Sequence, residues 1–216
     1  MRSEWVPLSA SALVIGAMSL VFGAILSPMQ SGASGAETLR IVDEDGARWL
    51  AMAVMFLLAS VALVLGLPSV LTLFSRRGRR LGLAGASLFV VASIGLWGFA
   101  MMMVLFRAMV TADAVLPGAL QRATSDLGLS TMLWGWLGAF YGGVVLIAVA
   151  LLVAGSAPRW VPVLLIAWVA STPFAAELGK VGGAVQVMAL GVALTGVAVA
   201  AVAGNQKPAL GAQPAF

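Results

Sequence analysis

The chain of 216 residues contains neither cysteine nor histidine. These two absences exclude disulfides, thiolate nucleophiles, histidine-ligated haem and Cys/His zinc sites. The sequence motifs of serine hydrolases, zinc proteases and phosphate-binding loops are also missing. We therefore interpret the chain as non-enzymatic, with no metal and no cofactor.

Charged residues are scarce as well. They make up 9% of the chain, whereas a typical soluble domain contains about 25%. Hydrophobic residues account for 62%, and the mean hydropathy is +1.07. So few charged side chains cannot cover the apolar surface of a water-soluble fold, and we expect most of the chain to be surrounded by membrane lipids. The basic residues are too few and too scattered to predict a nucleic-acid partner, although the net charge is +4.

Long uncharged runs are present instead, and they predict an all-α fold: a polytopic transmembrane bundle of six helices. About 20 apolar residues are needed to cross the hydrocarbon core, and in lipid only helices satisfy their own backbone polar groups. The first run is too long for a signal peptide and is interpreted as a retained anchor. Residues 205–216 are expected to form a flexible cytoplasmic tail. The predicted spans cover about residues 5–27, 49–74, 81–106, 130–155, 160–176 and 181–204.

The distribution of basic residues predicts the orientation. If both termini lie in the cytoplasm, seven Lys and Arg residues lie inside and five outside, in agreement with the positive-inside rule. The expected location is the cell inner (plasma) membrane. The two long connections, at about residues 28–48 and 107–129, then lie on the outer side, and each has room for a short surface helix.

Four arginines fall in the short connection between the second and third predicted spans. Arg76, Arg77, Arg79 and Arg80 are candidates for binding anionic lipid headgroups, since each basic residue near the membrane surface contributes about 1 kcal/mol. The same cluster is also explained as an orientation signal alone.

A second group of polar residues lies where the fifth and sixth spans meet. Glu177 and Lys180 are three residues apart, and Gln186 follows within the sixth span. Charged residues inside a membrane are costly and are typical of functional sites. Nearby Pro173 and Gly179 favour the other interpretation, a surface ion pair at a turn.

Small residues recur at helix-packing spacing on three spans, where they allow helix backbones to approach closely in lipid. They predict packing within the chain or, alternatively, a homo-oligomer. Tryptophans at the span ends predict interfacial aromatic anchors. The three stripes are Ala12, Gly16, Ser19 and Gly23; Gly135, Gly138 and Gly142; and Ala184, Gly191, Thr195 and Ala198. The predicted anchors are Trp5, Trp49, Trp134, Trp136 and Trp160.

Two segments carry a resemblance to a known family. They are residues 66–80 (GLPSVLTLFSRRGRR), which lead into a glycine-rich third span, and residues 155–160 (GSAPRW) between the fourth and fifth spans. Together with the number of spans, they resemble a bacterial family of six-span integral membrane proteins with a domain of unknown function. The resemblance implies a six-span fold over most of the chain and assigns no activity or catalytic residue.

The function that these patterns favour is that of an accessory subunit or a binder of lipid or a small apolar ligand. A membrane protein partner or a homo-oligomer is compatible with it. The alternative is a secondary transporter or channel with a polar site near Glu177, Lys180 and Gln186. A weaker alternative is a membrane enzyme that acts on lipid.

Overall fold

The computed structural model describes residues 4–28, 34–74, 78–115, 118–177 and 179–206. Within these ranges the chain forms eight helices and no strand. The helices are α1 (Trp5–Leu26), α2 (Gly35–Glu44), α3 (Gly46–Leu71), α4 (Arg79–Thr111), α5 (Ala119–Thr124), α6 (Leu127–Ala154), α7 (Trp160–Glu177) and α8 (Gly179–Gln206).

Five of these helices are long and apolar enough to cross a membrane: α1, α3, α4, α6 and the part of α8 from Val181 onwards. The apolar part of α7, Trp160–Ala175, is shorter. The structure thus confirms an all-helical bundle with several apolar helices, as a membrane protein requires. By length alone, five helices rather than six meet the requirement for crossing.

Several predicted boundaries differ from the observed ones by a few residues, including the following three. First, α3 begins at Gly46, so Asp45 is the single residue between α2 and α3. The N–H of Asp45 donates to the carbonyl of Ile41, and the carbonyl of Asp45 accepts from the N–H of Trp49. Second, α4 continues to Thr111 and includes Arg107. Third, α8 continues to Gln206, so the first two residues of the predicted tail are helical; residues 207–216 lie outside the described part of the chain.

Both long connections contain a short helix, for which the sequence left room: α2 in the first and α5 in the second. The Oγ of Ser34 caps α2 by accepting a hydrogen bond from the N–H of Glu37. Ile41 and Val42 are buried beneath α2, where it packs on α3 and α4. The helix therefore lies against one end of the bundle.

The six apolar helices form a closed ring in chain order, in which α1, α3, α4, α6, α7 and α8 each contact the next and α8 returns to α1. Neighbours are antiparallel. Gly16 lies against Leu63 while Gly23 lies against Phe56, so the residue number falls along α3 as it rises along α1. With six helices alternating in direction, α1 begins and α8 ends at the same end of the bundle.

The centre of the ring is apolar and almost fully packed. A void of about 10 Å³ remains there, and all six helices contribute to its lining through residues such as Leu13, Leu67, Phe89, Ile147, Leu165 and Leu194. This volume is at the lower limit for one water molecule, which would also need polar partners. The centre is therefore dry.

Close helix contacts are made by some of the predicted small residues and not by others. A Cβ on Gly16 would come within 2.8 Å of the backbone N of Leu63, so this stripe packs within the chain as expected. On α6 the predicted stripe makes little contact within the chain: only Gly142 meets α4, where a Cβ would lie 3.7 Å from Leu88, and the homo-oligomer alternative stays a prediction. Gly135 and Gly138 have nothing within 4 Å, and the close contact with α4 is made by Gly143, whose Cβ would lie 3.0 Å from the N of Phe89.

Two of the five tryptophans that were predicted to be interfacial anchors lie between helices instead. Trp49 is only 4% exposed, and its indole N–H donates to the carbonyl of Met103 on α4 at 2.9 Å. The indole N–H of Trp136 donates to the carbonyl of Ala92, also on α4, and its ring stacks on Phe99. Both therefore join helices. The other three, Trp5, Trp134 and Trp160, are exposed as the prediction requires.

Candidate functional site

A groove runs along the C-terminal half of α8, and its volume is about 800 Å³. It lies between α8, the start of α7, the connection before α7 and the side chain of Met18 on α1. Ligand pockets usually measure about 300–1,000 Å³. The groove therefore has room for a ligand, unlike the void at the centre of the ring.

The floor of the groove depends on Gly196. A Cβ at this position would come within 2.6 Å of the Trp160 ring and 2.8 Å of Val161, so only glycine lets the start of α7 approach α8 this closely. Small residues continue along the same wall at Ala200, Ala203 and Gly204. The groove thus exists because α8 presents side chains of low volume where α7 begins.

The lining of the groove is mostly apolar. The hydroxyl of Thr195 donates to the carbonyl of Gly191 at 2.8 Å, so this residue uses its donor within its own helix. Met18, Val192 and Val199 line the groove and are also exposed on the outer surface of the bundle. The groove therefore opens sideways, toward the side of the bundle that hydrocarbon would surround.

The connection between α6 and α7 closes one end of the groove. Gly155 ends α6 in the left-handed conformation, with φ of 62°, which an L side chain rarely adopts. Ser156 and Pro158 follow in the groove wall. The Oγ of Ser156 is buried and has no hydrogen-bond partner among the residues that the structure describes. Arg159 is exposed and lies between the wall residues Pro158 and Trp160.

Part of the predicted arginine cluster lies at this same end of the bundle. Arg79 and Arg80 are the first two residues of α4, and both are exposed. The preceding Gly78 lies against Ala150, near the end of α6, where a Cβ would come within 2.9 Å of the carbonyl oxygen. Arg76 and Arg77 lie outside the described residues. The headgroup prediction for the cluster stays a prediction.

The predicted polar site is only partly described. Glu177 is the last residue of α7 and Lys180 the second of α8, on either side of a turn in which Gly179 has φ of 60°. The structure does not describe the side chains of Glu177 and Lys180. The amide of Gln186 donates to the Oγ1 of Thr172 at 2.7 Å, which joins α7 to α8. The described part of this site is thus a link between helices.

Trp168 adds one unsatisfied group next to this link. It is 6% exposed, it packs at right angles on Phe140, and its indole N–H has no partner among the described residues. Its carbonyl accepts a hydrogen bond from Ser171, one turn later on α7. The surroundings of the ring are therefore aromatic and apolar.

Charged residues on the opposite end of the bundle form a network on α2. Arg40 contacts Glu37 and Glu44 on the same helix face, each at 2.6 Å. The hydrogen bond and the charge of Arg40 hold the pKa of Glu37 below its ordinary value of 4.5. The two carboxylates in turn raise the pKa of Arg40 above its usual value. Arg40 and Glu44 are exposed and Glu37 is partly exposed, so the network stabilises α2 itself rather than forming a buried site.

Most residues of the groove were missed by the sequence reasoning. Met18 and Val192 are far apart along the chain, and only the ring arrangement brings α1 beside α8. One signal was available: Gly196, Ala200, Ala203 and Gly204 give the end of α8 a face of small residues. The GSAPRW segment was also recognised, but as part of the resemblance to a known family rather than as part of the groove wall.

Comparisons of the chain with protein-family models, with curated proteins and with solved structures found no match. The resemblance to a family of six-span bacterial membrane proteins therefore stays a prediction. A functional assignment for this chain accordingly depends on the groove beside α8 and on the side chains around it.

Proposed function

We propose that this protein is a non-enzymatic integral membrane protein with six spans whose groove holds an acyl chain of a membrane lipid. The observation that supports the proposal is the groove of about 800 Å³ beside α8, open on the side of the bundle. The sequence favoured a binder of lipid or of a small apolar ligand. We propose a lipid rather than a small apolar ligand because lipids are present at every membrane-facing surface.

The dimensions of the groove agree with an acyl chain. The groove extends along α8 from Val192 to Gly204, a distance of about 18 Å at 1.5 Å per residue. One leaflet is about half of a hydrocarbon core of about 30 Å. The groove therefore matches the depth of a single leaflet, and its mostly apolar lining suits an acyl chain.

The six-span topology depends on α7. Its 18 residues measure about 27 Å, slightly less than the hydrocarbon core, and it packs between α6 and α8 in the ring. If α7 is counted as a span, the start of α1 and the end of α8 lie on one side of the membrane. We place that side in the cytoplasm and the protein in the cell inner (plasma) membrane, because Arg79, Arg80 and Arg159 lie there.

Filling the groove tests the proposal. Ala203 is exposed within the groove, so Ala203→Trp places an indole where the acyl chain is proposed to lie. The matched control is Ala84→Trp, on the exposed face of α4 and also near the arginine-rich end of the bundle. After extensive detergent exchange, native mass spectrometry measures how many lipid molecules each purified variant retains.

We expect the wild type and Ala84→Trp to retain one lipid that Ala203→Trp has lost. All three should have the same midpoint of thermal unfolding after delipidation, since both changes are at exposed positions. Equal retention by all three proteins, or no retained lipid in the wild type, would rule out the groove as a lipid site.

The transporter or channel alternative has less support. A transport path needs a polar cavity near the middle of the membrane, whereas the void at the ring centre is apolar and about 10 Å³ in volume. Gln186 is engaged with Thr172, and the prediction for Glu177 and Lys180 remains open. Coupled uptake into vesicles that Glu177→Gln abolishes would favour this alternative over ours.

Two other hypotheses remain predictions. An accessory subunit or a homo-oligomer would use the outer half of α6, where Gly135 and Gly138 have no neighbour within 4 Å and Trp134 is exposed. A membrane enzyme that acts on lipid has no supporting observation among the described residues. Copurification of a stoichiometric partner would favour the accessory subunit.

A further inference from the structure

We propose that the lipid in the groove is an anionic phospholipid and that Arg159 binds its phosphate. This inference rests on the proposed function, since it assumes an acyl chain in the groove, and it adds the chemical class of the headgroup. Arg159 was used above to orient the protein in the membrane. It does not belong to the arginine cluster that the sequence predicted to bind lipid headgroups.

The position of Arg159 is the first argument. Its neighbours along the chain, Pro158 and Trp160, both line the groove, whereas Arg159 itself is exposed and is not part of the lining. An acyl chain that fills the groove from Val192 to Gly204 ends at this level. Its headgroup would therefore lie within reach of the long Arg159 side chain, whose guanidinium can bind phosphate through two parallel hydrogen bonds.

The start of α7 also favours a negatively charged ligand. Arg159 immediately precedes α7, an 18-residue helix whose dipole favours an anion at its N-terminus. The N–H of Val161 donates to the carbonyl of Pro158 and Pro162 has no N–H, so the attraction comes from the dipole and the guanidinium rather than from a set of free N–H groups.

The charge at this end of the bundle is the third argument. The charged residues described there are Arg79, Arg80 and Arg159, with Glu4 as the one carboxylate. An anionic headgroup would meet a positive surface potential, whereas a zwitterionic headgroup would gain much less from it. The groove is therefore complementary to an anionic lipid in both its apolar and its charged part.

A competition between two lipids tests the headgroup. The full-length protein is equilibrated in mixed micelles with equal amounts of phosphatidylglycerol and phosphatidylcholine. Detergent is exchanged, and native mass spectrometry gives the ratio of the two lipids retained. We expect a preference of about fivefold for phosphatidylglycerol in the wild type, the effect of one basic residue near the surface. Arg159→Gln should remove most of this preference without changing the total amount of lipid retained.

Two control variants separate Arg159 from general basicity. Arg159→Lys keeps the charge and should keep most of the preference. Arg79→Gln combined with Arg80→Gln removes two charges that contribute to the surface potential but do not adjoin a residue of the groove wall, so it should lower the ratio less than Arg159→Gln does. Loss of the preference in this double variant but not in Arg159→Gln would overturn the assignment of Arg159.

The remaining outcomes are also distinct. A wild type that retains lipid without preference would overturn the headgroup inference while the groove proposal stands. A wild type that retains no lipid would overturn both. An excess of inorganic phosphate should not displace phosphatidylglycerol; displacement would show that free phosphate, rather than a lipid, is the occupant recognised at Arg159.

Discussion

The hydroxyl of Ser9 on α1 accepts a hydrogen bond from the backbone N–H of Ser69 on α3 at 3.0 Å. The same hydroxyl donates to the carbonyl of Leu65 at 2.8 Å, which is the group that Ser69 would bond in a regular helix. Pro68, just before Ser69, has no N–H and disturbs the helix at this point. A side chain of α1 thus completes the backbone hydrogen bonding of α3.

Replacing Ser9 should therefore weaken the α1–α3 contact. Ser9→Ala leaves the buried N–H of Ser69 without its acceptor, and we expect a loss of about 1–2 kcal/mol in the free energy of unfolding. Thermal unfolding in detergent, followed by circular dichroism, measures the change. Ser11→Ala is the control, because the Ser11 hydroxyl is exposed and bonds only within its own helix, to Pro7. Equal effects of the two substitutions would show that the hydroxyl of Ser9 is not needed.

The packing of α6 on α4 gives a second prediction. A side chain at Gly143 would collide with the backbone of Phe89 and with the carbonyl of Gly85, at 3.0 and 3.1 Å from the Cβ. We expect Gly143→Leu to lower the stability by about 1–3 kcal/mol through overpacking. Gly138→Leu, which lies on the same helix and faces open space, should leave it almost unchanged. Chemical unfolding in mixed micelles compares the two variants. The register assigned to α6 is wrong if Gly138→Leu is the more damaging.

The buried indole of Trp49 gives a third prediction. Trp49→Phe keeps the aromatic contact with Phe106, whose ring centroid is 5.9 Å away, but removes the hydrogen bond to Met103. The expected cost is about 1 kcal/mol, since one buried carbonyl loses its side-chain donor. Trp134→Phe is the control because Trp134 is 70% exposed. If Trp49 were an interfacial anchor, the two substitutions would have similar effects on the unfolding midpoint.

The ion network of α2 predicts a dependence on pH. Arg40 lowers the pKa of Glu37 in the folded protein below its ordinary value of 4.5. The stabilisation of α2 by this pair is therefore fully present above about pH 4.5 and is lost as the pH falls through the lower, folded pKa. A carbon-13 NMR titration of the Glu37 carboxyl should show a midpoint below 4.5, and Arg40→Gln should raise it. An unchanged midpoint in Arg40→Gln would contradict the assigned cause.

Much of the fold could be predicted because the amino-acid composition indicates whether a chain is surrounded by water or by lipid. The start of α7 at Trp160 agrees with its prediction, and the start of α1 at Trp5 does so as well. These boundaries follow from where uncharged runs begin and end, which is a local property of the chain. The spans were placed less accurately where a helix continues past a charged residue, as α4 does past Arg107. A helix can extend out of the hydrocarbon, so charge marks the membrane boundary and not the helix end.

The candidate site was less predictable because it depends on which helix faces are neighbours. The small-residue pattern on α6 was recognised, yet the sequence alone did not decide whether Gly138 or Gly143 would meet α4. Likewise, Trp49 and Trp134 both occur at span ends, and only the packing of α2, α3 and α4 buries the first of them. The same is true of Ser9, whose role requires a proline on another helix.

The sequence by itself determined that the protein is helical, that several of its helices are apolar and long enough to cross a membrane, and approximately where they lie along the chain. Those properties follow from the absence of charge over runs long enough to cross a membrane, whatever the helices contact. The tertiary structure decided that α1 closes the ring beside α8 and that Met18, Trp160 and Gly196 lie around one groove. In lipid no hydrophobic force selects one helix face over another, so the fit of small and large side chains decides which faces meet.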